Sequence, residues 1–462
     1  MKGDRVWARR LGVLALAFSV TETRAQPSRT SITLDEAVAF ALAHHPRMRS
    51  VAAQVDAAHS RVDEARTTEL PGLGVSAEIN RSTGNTVPGA FFPLTGFPTI
   101  SGAPRGRAFD GGAFQTGVSL WSTWDVTSVL EEAARVDLAL AGASEARAET
   151  SVQRLEIAYG AADAFLALLQ AREGVKAARA GVDRARVFAT VVKSLVAQDL
   201  RPGVDAARAD AELALAETDL ARAEQFEMER RAAFVRALGD PSSRLEPALG
   251  APPGAVDDPG RSQNVAEHPS VRAADAATLR SARAEGVVKL EYLPRVQILG
   301  AIWLRGSGIY GSPADGIVPD VPNWAAGATV SWSVLDIPGV EARARAARAE
   351  HEGAVARRDE TVLAVASEMQ SATAALRGAV NVARTTPTAL VSARQAEQQA
   401  LARYRSALAQ AVEVADAERL LTQAEVNDAL ARLQVLRAEL LVARAEGDLE
   451  PFFASMRRRG ER

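Results

Sequence analysis

Five histidines are spread along 462 residues, at positions 44, 45, 59, 268 and 351. A pair of imidazoles at i and i+4 would let one helix face hold a metal ion, and no two of these stand at that spacing. His44 and His45 are adjacent and precede Pro46, so a regular helix cannot aim both at one ion; the histidines read as structural surface residues. Cysteine is absent, which removes thiol nucleophiles, thiolate-bound zinc, disulfides and lipidation at an N-terminal cysteine. No phosphate-binding GxxxxGK(S/T) loop, zinc-protease HExxH or nucleophile-elbow GxSxG pattern occurs. Acid pairs such as Glu131-Glu132 lie in helical stretches, where solvation accounts for them. No catalytic residue, cofactor or metal is expected, and an enzyme is the weakest reading.

With chemistry set aside, charge and hydropathy narrow the setting. The 54 basic and 57 acidic residues leave a net charge of −3, without the basic excess of a nucleic-acid binder. Residues 1–25 read as a secretory signal. Lys2, Arg5, Arg9 and Arg10 precede an apolar run from Leu11 to Val20, and TRA at 23–25 places the cut between Ala25 and Gln26. Its removal takes away five basic and two acidic residues, so the mature charge becomes −6. No later segment has the roughly 18 consecutive apolar residues of a spanning helix.

The mature chain repeats itself. HHPRMRS at 44–50 returns as EHPSVRA at 267–273, and ELPGLGVSAEI at 69–79 returns as YLPRVQILGAI at 292–302. His45 and His268 differ by 268 − 45 = 223, and so do Pro71 and Pro294. In the first copy Thr33 is the expected N-cap of a helix, with Glu36 as its capping-box partner. A helix then runs from about 46 to 69, and its counterpart from about 269 to 292. After each, the apolar period shifts from 3.6 to 2. Leu73, Val75, Ala77 and Ile79 share one face, and the offset maps them onto Val296, Ile298, Gly300 and Ile302. A Gly/Pro-rich loop and a second alternating run complete a β-hairpin at about 73–122 and another at about 295–334. Trp121, Trp124, Trp303, Trp324 and Trp332 fall in or beside these runs, which fits a membrane-interface belt or an ordinary soluble hairpin with buried tryptophans.

Each hairpin leads into a long Ala-, Arg- and Glu-rich helical hairpin of coiled-coil proportions, at about 126–238 and about 340–448. The outgoing helix of the first runs on the order of 100 Å at ~1.5 Å per residue. Pro387 is expected to kink the second outgoing helix. Residues 26–238 and 263–450 thus form two structural repeats, joined by a Pro/Gly linker at 239–262 and followed by a loose tail at 451–462. Four strands cannot close a membrane barrel, and an open edge in lipid leaves backbone groups unpaired. The chain is therefore either soluble or oligomeric, and a trimer would supply twelve strands.

The order of these features resembles the TolC-like outer-membrane efflux proteins. It rests on the opening TLDEAVAFALAHHP, the helix ending in Leu-Pro before a strand, the duplication, and RYRSALAQAVEVADAERLL at 403–421 with its echo AQDLRPGVDAARADAEL at 197–213. The resemblance implies a mainly α fold with a small β part: four transmembrane strands per chain, and a homotrimer forming a 12-stranded β-barrel in the outer membrane above an α-helical periplasmic tunnel. It implies docking on a periplasmic adaptor and an inner-membrane pump, with substrates leaving passively. Two readings stand beside it: the duct of a type I protein secretion system, and an exported coiled-coil scaffold or adaptor without a barrel.

Residue by residue, the resemblance places the adaptor-docking tips at Asp199, Leu200, Arg201 and Pro202, and at Ala407, Leu408 and Ala409. Leu200 and Leu408 are kept, while Asp199 and Ala407 stand where the family has glycine. Glu413 and Asp416 match the acidic rings of the periplasmic constriction, where six carboxylates in a trimer would attract cations; their other reading is two solvated helix-surface acids. Asp205 and Tyr404 match links that hold the tunnel closed. The basic partner's position is Ala409 here, so Arg403 or Arg405 substitutes, or the tunnel is held shut differently. Pro387 in TTPTAL resembles the heavy-metal-exporting members.

Overall fold

A computed structural model describes residues 30–67, 71–82, 112–248, 264–308, 312–406 and 408–460. The signal segment with Ala25 and Gln26, most of the 83–112 loop, the interval 249–263 and Ala407 lie outside the described residues.

The chain opens with a short strand β1 (Thr30–Ile32) and helix α1 (Leu34–His44). The Thr33 hydroxyl accepts the Glu36 amide while the Glu36 carboxylate accepts the Thr33 amide at 2.8 Å, the reciprocal capping box that the spacing predicts. Helix α2 (Pro46–Thr67) leads to strands β2 (Gly72–Ser82) and β3 (Ala113–Asp125). Helix α3 (Ser128–Ala197) is 70 residues long, about 105 Å at ~1.5 Å per residue, and α4 (Gly203–Leu238) returns along it. The second copy follows the same order: α5 (Pro269–Leu290), β5 (Arg295–Ser307), β6 (Val321–Ser331), α6 (Ile337–Arg405) and α7 (Ala411–Glu446). Helix α6 stays helical through Pro387.

Both return helices stop at a glycine in the left-handed region, Gly239 at φ 76° and Gly447 at φ 83°. A side chain there would be strained, and it would also collide. A Cβ on Gly239 would lie 2.5 Å from His45 Cα, and one on Gly447 2.5 Å from Pro269 Cδ. The duplicated His-Pro of each copy therefore docks on the end of that copy's return helix.

Two stretches differ from the sequence reading. The interval read as linker contains strand β4 (Leu245–Pro247), which pairs in parallel with β1. Glu246 holds it down by ion pairs to Arg172 of α3 and Arg231 of α4. The tail expected to be loose is helix α8 (Glu450–Gly460). Phe452 and Phe453 are buried with Leu34 and Val38 of α1, Phe165 of α3 and Leu440 of α7, and Arg457 pairs with Asp35 at 3.0 Å. Apolar burial in a shared core decides the tail helix, and strand pairing with the Glu246 ion pairs decides β4; neither is visible in a short segment.

The four long strands form one antiparallel sheet in the order β2-β3-β5-β6, with β2 and β6 at its edges, unpaired on their outer sides among the described residues. Period 2 carries one apolar face across it, as in the row Val75–Leu120–Ile302–Trp324. That face is open: Val75 is 75% and Trp324 77% exposed. On the other face Ser76 and Ser119 share a hydrogen bond at 2.5 Å. Trp121 lies flat over Gly74, where a Cβ would sit 2.3 Å from its ring.

Below the sheet the helices form a single layer. Near the strands α2 packs on α3, and α5 lies between α3 and α6; farther down, α4 packs on α3, α3 on α7 and α7 on α6. Alanine lines these contacts, with Ala411, Ala415, Ala424, Ala438 and Ala443 buried on α7 alone, so the backbones approach closely. Among the described residues no helix is long and apolar enough to cross a membrane.

Candidate functional site

The lower end of the layer is two tight turns, one per copy. After α3, the Asp199 amide donates to Val196 O at 3.0 Å and the Leu200 amide to Leu195 O at 2.9 Å, closing a Schellman motif. Its left-handed position is Asp199, at φ 52°. Asp tolerates that region better than most side chains, so the turn keeps a glycine-like path without glycine. After α6, the Leu408 amide donates to Arg403 O at 2.8 Å. Leu408 and Leu200 are related by 408 − 200 = 208, and Arg403 and Leu195 by the same offset. The leucine after such a turn commonly packs back onto its helix. Here both point outward, Leu200 at 62% and Leu408 at 71% exposure, with Val204 beside them at 69%.

Not every residue assigned to the tips is offered to a partner. Asp199 and Pro202 are exposed, but Ala409 is buried at 6%. Arg201 turns inward: its Nη2 donates to the Tyr404 carbonyl at 2.6 Å, and its guanidinium lies 4.3 Å from the Tyr404 ring centroid. Tyr404 is fully buried, edge-on to Phe188 at 5.5 Å and packed with Val192, Ala209, Ala411 and Val414. Asp205 stands beside its hydroxyl without completing a well-formed hydrogen bond. Burial first, then the Asp205 charge, push the Tyr404 hydroxyl above the usual phenol range.

Tyr404 and Asp205, named together in the sequence reading, stand side by side, and the cation at Tyr404 comes from neither of the two arginines considered there. Arg403 and Arg405 are exposed. The cation is Arg201, from the turn of the other copy. The offset of 208 that aligns Leu200 with Leu408 was the available signal, because it sets the two turns side by side.

Glu413 and Asp416 are both exposed, near the start of α7. Glu413 accepts the Gln410 amide at 3.2 Å in a capping box, and Asp416 lies 3.8 Å from Arg419. Within one chain each acid therefore has a local partner.

The histidines separate from this site. Among the described residues no cluster of His, Asp and Glu is placed to hold a metal ion. His268 is not a surface residue but 5% exposed. Its Nδ1 accepts the Ser270 amide at 3.2 Å, and its Nε2 faces Arg444 O at 3.4 Å. His45 accepts the Arg47 amide at 3.2 Å in the same way. Burial lowers the pKa of both rings. The reading that no GxGxxG run occurs is corrected by GSGIYG at 306–311, which has that dinucleotide-loop spacing. Its first two residues end strand β5, and among the described residues that follow the first element is a short 3-10 turn at Asp315–Ile317, not a helix whose N-terminus could receive a phosphate.

Comparison with known proteins agrees with this geometry. The family described as outer membrane efflux protein matches residues 38–240 and 261–448. No curated protein matches the sequence. The structure is similar to the outer-membrane channel OprN, with 22% identity, TM-score 0.73 and coverage of 90% of this chain and 89% of that one. It is similar to the outer membrane protein VceC from Vibrio cholerae, with 18% identity, TM-score 0.73 and coverage of 90% and 96%. To the Campylobacter jejuni CmeC outer membrane channel the figures are 13% identity, TM-score 0.77 and coverage of 98% and 97%.

Proposed function

Because the chain belongs to the outer membrane efflux protein family, we propose that it is the passive exit duct of a tripartite export system, spanning the outer membrane and reaching through the periplasm. The observation that carries this is the four-stranded sheet with one exposed apolar face and two open edges. Its strands are 11 to 13 residues long, enough to cross a bilayer when tilted. Lipid accepts the apolar face but not the edges, so β2 of one chain pairs with β6 of the next until the sheet closes. Three chains give twelve strands. The same closure sets α4 beside a neighbour's α6 and completes the tunnel. Soluble use of the chain as a scaffold gives the apolar face no partner.

At the lower end, Leu200, Val204 and Leu408 are the apolar knobs for a periplasmic adaptor, whose cognate inner-membrane pump supplies the energy. Arg201, Tyr404 and Asp205 hold the two helical hairpins of one chain together there. Glu413 and Asp416 ring the opening. Efflux of small substrates and type I secretion share this duct, since selectivity lies in the pump.

The test is the mass of the species extracted by mild detergent from the outer-membrane fraction, followed by conductance in planar bilayers. A trimer is expected, with Arg201→Ala raising conductance and Glu413→Gln with Asp416→Asn weakening cation selectivity. A monomer recovered from the soluble periplasm would overturn the reading.

A further inference from the structure

Above the tips, all four long helices contribute charged groups to one stretch of the layer. Helix α3 contributes Arg184, α4 contributes Glu212 and Asp219, α6 contributes Arg394 and Glu397, and α7 contributes Asp416, Glu418, Arg419 and Glu425. The cations are committed. Arg184 pairs with Glu425 at 2.9 Å and donates to Thr422 Oγ1 at 2.8 Å. Arg394 reaches Glu425 at 3.9 Å. Arg419 binds Glu212 through Nε at 3.0 Å and also meets Asp416 at 3.8 Å. Glu418 is left half-buried, facing Glu397 and Glu212 with Arg184 nearby, and among the described residues it forms no ion pair of its own.

The packing around it is close on one side and open on the other. A Cβ on Gly181 of α3 would sit 3.3 Å from Thr422, so the two hairpins nearly touch there, and the Thr422 hydroxyl bonds Glu418 O at 3.0 Å. Beside this contact lies a cleft of about 510 Å3 lined by Glu418, Glu212, Arg419, Leu215 and Thr422. A proton on Glu418 can therefore exchange with water, while its charge is felt across the α3–α7 seam.

We propose that Glu418 is a proton-operated carboxyl that sets how tightly the two helical hairpins of one chain close against each other. Protonated, it is a neutral side chain in a small-residue seam. On ionising it releases its proton to solvent and places a further negative charge beside Glu397 and Glu212, with Arg184 already held by Glu425. Burial, then the charge of Glu397, raise its pKa to about 7. A carboxyl whose pKa is raised by closure favours the closed seam below that pH, and the contribution is lost as pH rises from the usual carboxylate range through about 7. The inference concerns the chain's own hairpins and does not rest on the export reading.

Hydrogen–deuterium exchange of the full-length protein in detergent, corrected for intrinsic rates, tests it between pH 5 and 8. Peptides covering 178–190 and 411–426 should exchange faster as pH rises, by roughly tenfold for each pKa unit that opening releases. Glu418→Gln should abolish the step, and Glu397→Gln should move its midpoint to lower pH. A flat wild-type profile overturns the proposal, as does a step that survives in Glu418→Gln. If Glu418→Gln fails to fold, an unmoved midpoint in Glu397→Gln overturns it.

Discussion

His268 uses both ring nitrogens on helix ends, Nδ1 at the start of α5 and Nε2 toward the last carbonyls of α7. Accepting at Nδ1 requires the neutral ring, and burial favours that form by lowering the pKa. A ring with a depressed folded pKa contributes stability that is present above the unfolded value, about 6.5, and lost as pH falls through the folded one. In a Glu418→Gln background, where the opposite gain from that carboxyl is absent, the melting temperature should therefore drop on acidification from pH 7.5 to 5. His268→Asn keeps an N-cap acceptor and removes the titration, so its curve should be flatter. An equal slope in that variant would remove His268 from the account. The pairing itself was half legible. A repeated His-Pro is visible in the sequence, but the glycine it meets lies 447 − 268 = 179 residues away. Arg201 was obscured in the same way, since nothing local links a turn arginine to a tyrosine on another hairpin.

At the scale of elements, periodicity and capping chemistry were enough wherever an element stabilises itself. The Thr33–Glu36 box, the shift from period 3.6 to period 2 at Pro71 and Pro294, and the left-handed Gly239 and Gly447 mark helix and strand ends within a few residues. Helix α8 fails that rule because its stability comes from elsewhere. Phe452 at 3% and Phe453 at 6% exposure are buried by α1, α3 and α7, not by their own helix. Phe452→Ala should cost about 3–5 kcal/mol of stability, read as a fall in the denaturation midpoint. Arg458→Ala, on an exposed position of the same helix, should change it little. Comparable losses in both would mean that α8 acts through charge and not through the core.

For the whole molecule, the open apolar face of the sheet is the feature with consequences. Val75 stands in the row Val75–Leu120–Ile302–Trp324 at 75% exposure. Arginine at a lipid-facing strand position costs about 2–4 kcal/mol near the bilayer midplane. Val75→Arg should thus lower the trimer recovered from the outer-membrane fraction, whereas Ser76→Thr, on the opposite polar face, should leave it unchanged. Full recovery of Val75→Arg would show that this face does not meet lipid.

The sequence by itself determined the long helices and the four long strands, their order, their duplication and the family resemblance. Each of these follows from local backbone chemistry or from a repeat in register with itself, and neither needs a distant partner. Only the tertiary structure decided which strand of one hairpin joins the other, β3 to β5, and that β1 pairs with β4 from the stretch between the repeats. It alone set the Arg201 guanidinium over the Tyr404 ring, His268 on the end of α7, and Glu418 among acids from two other helices. Those contacts depend on the rotation and stagger of long helices about their own axes. Alanine-rich faces leave that rotation nearly degenerate in sequence, and it is fixed only when all four helices pack at once.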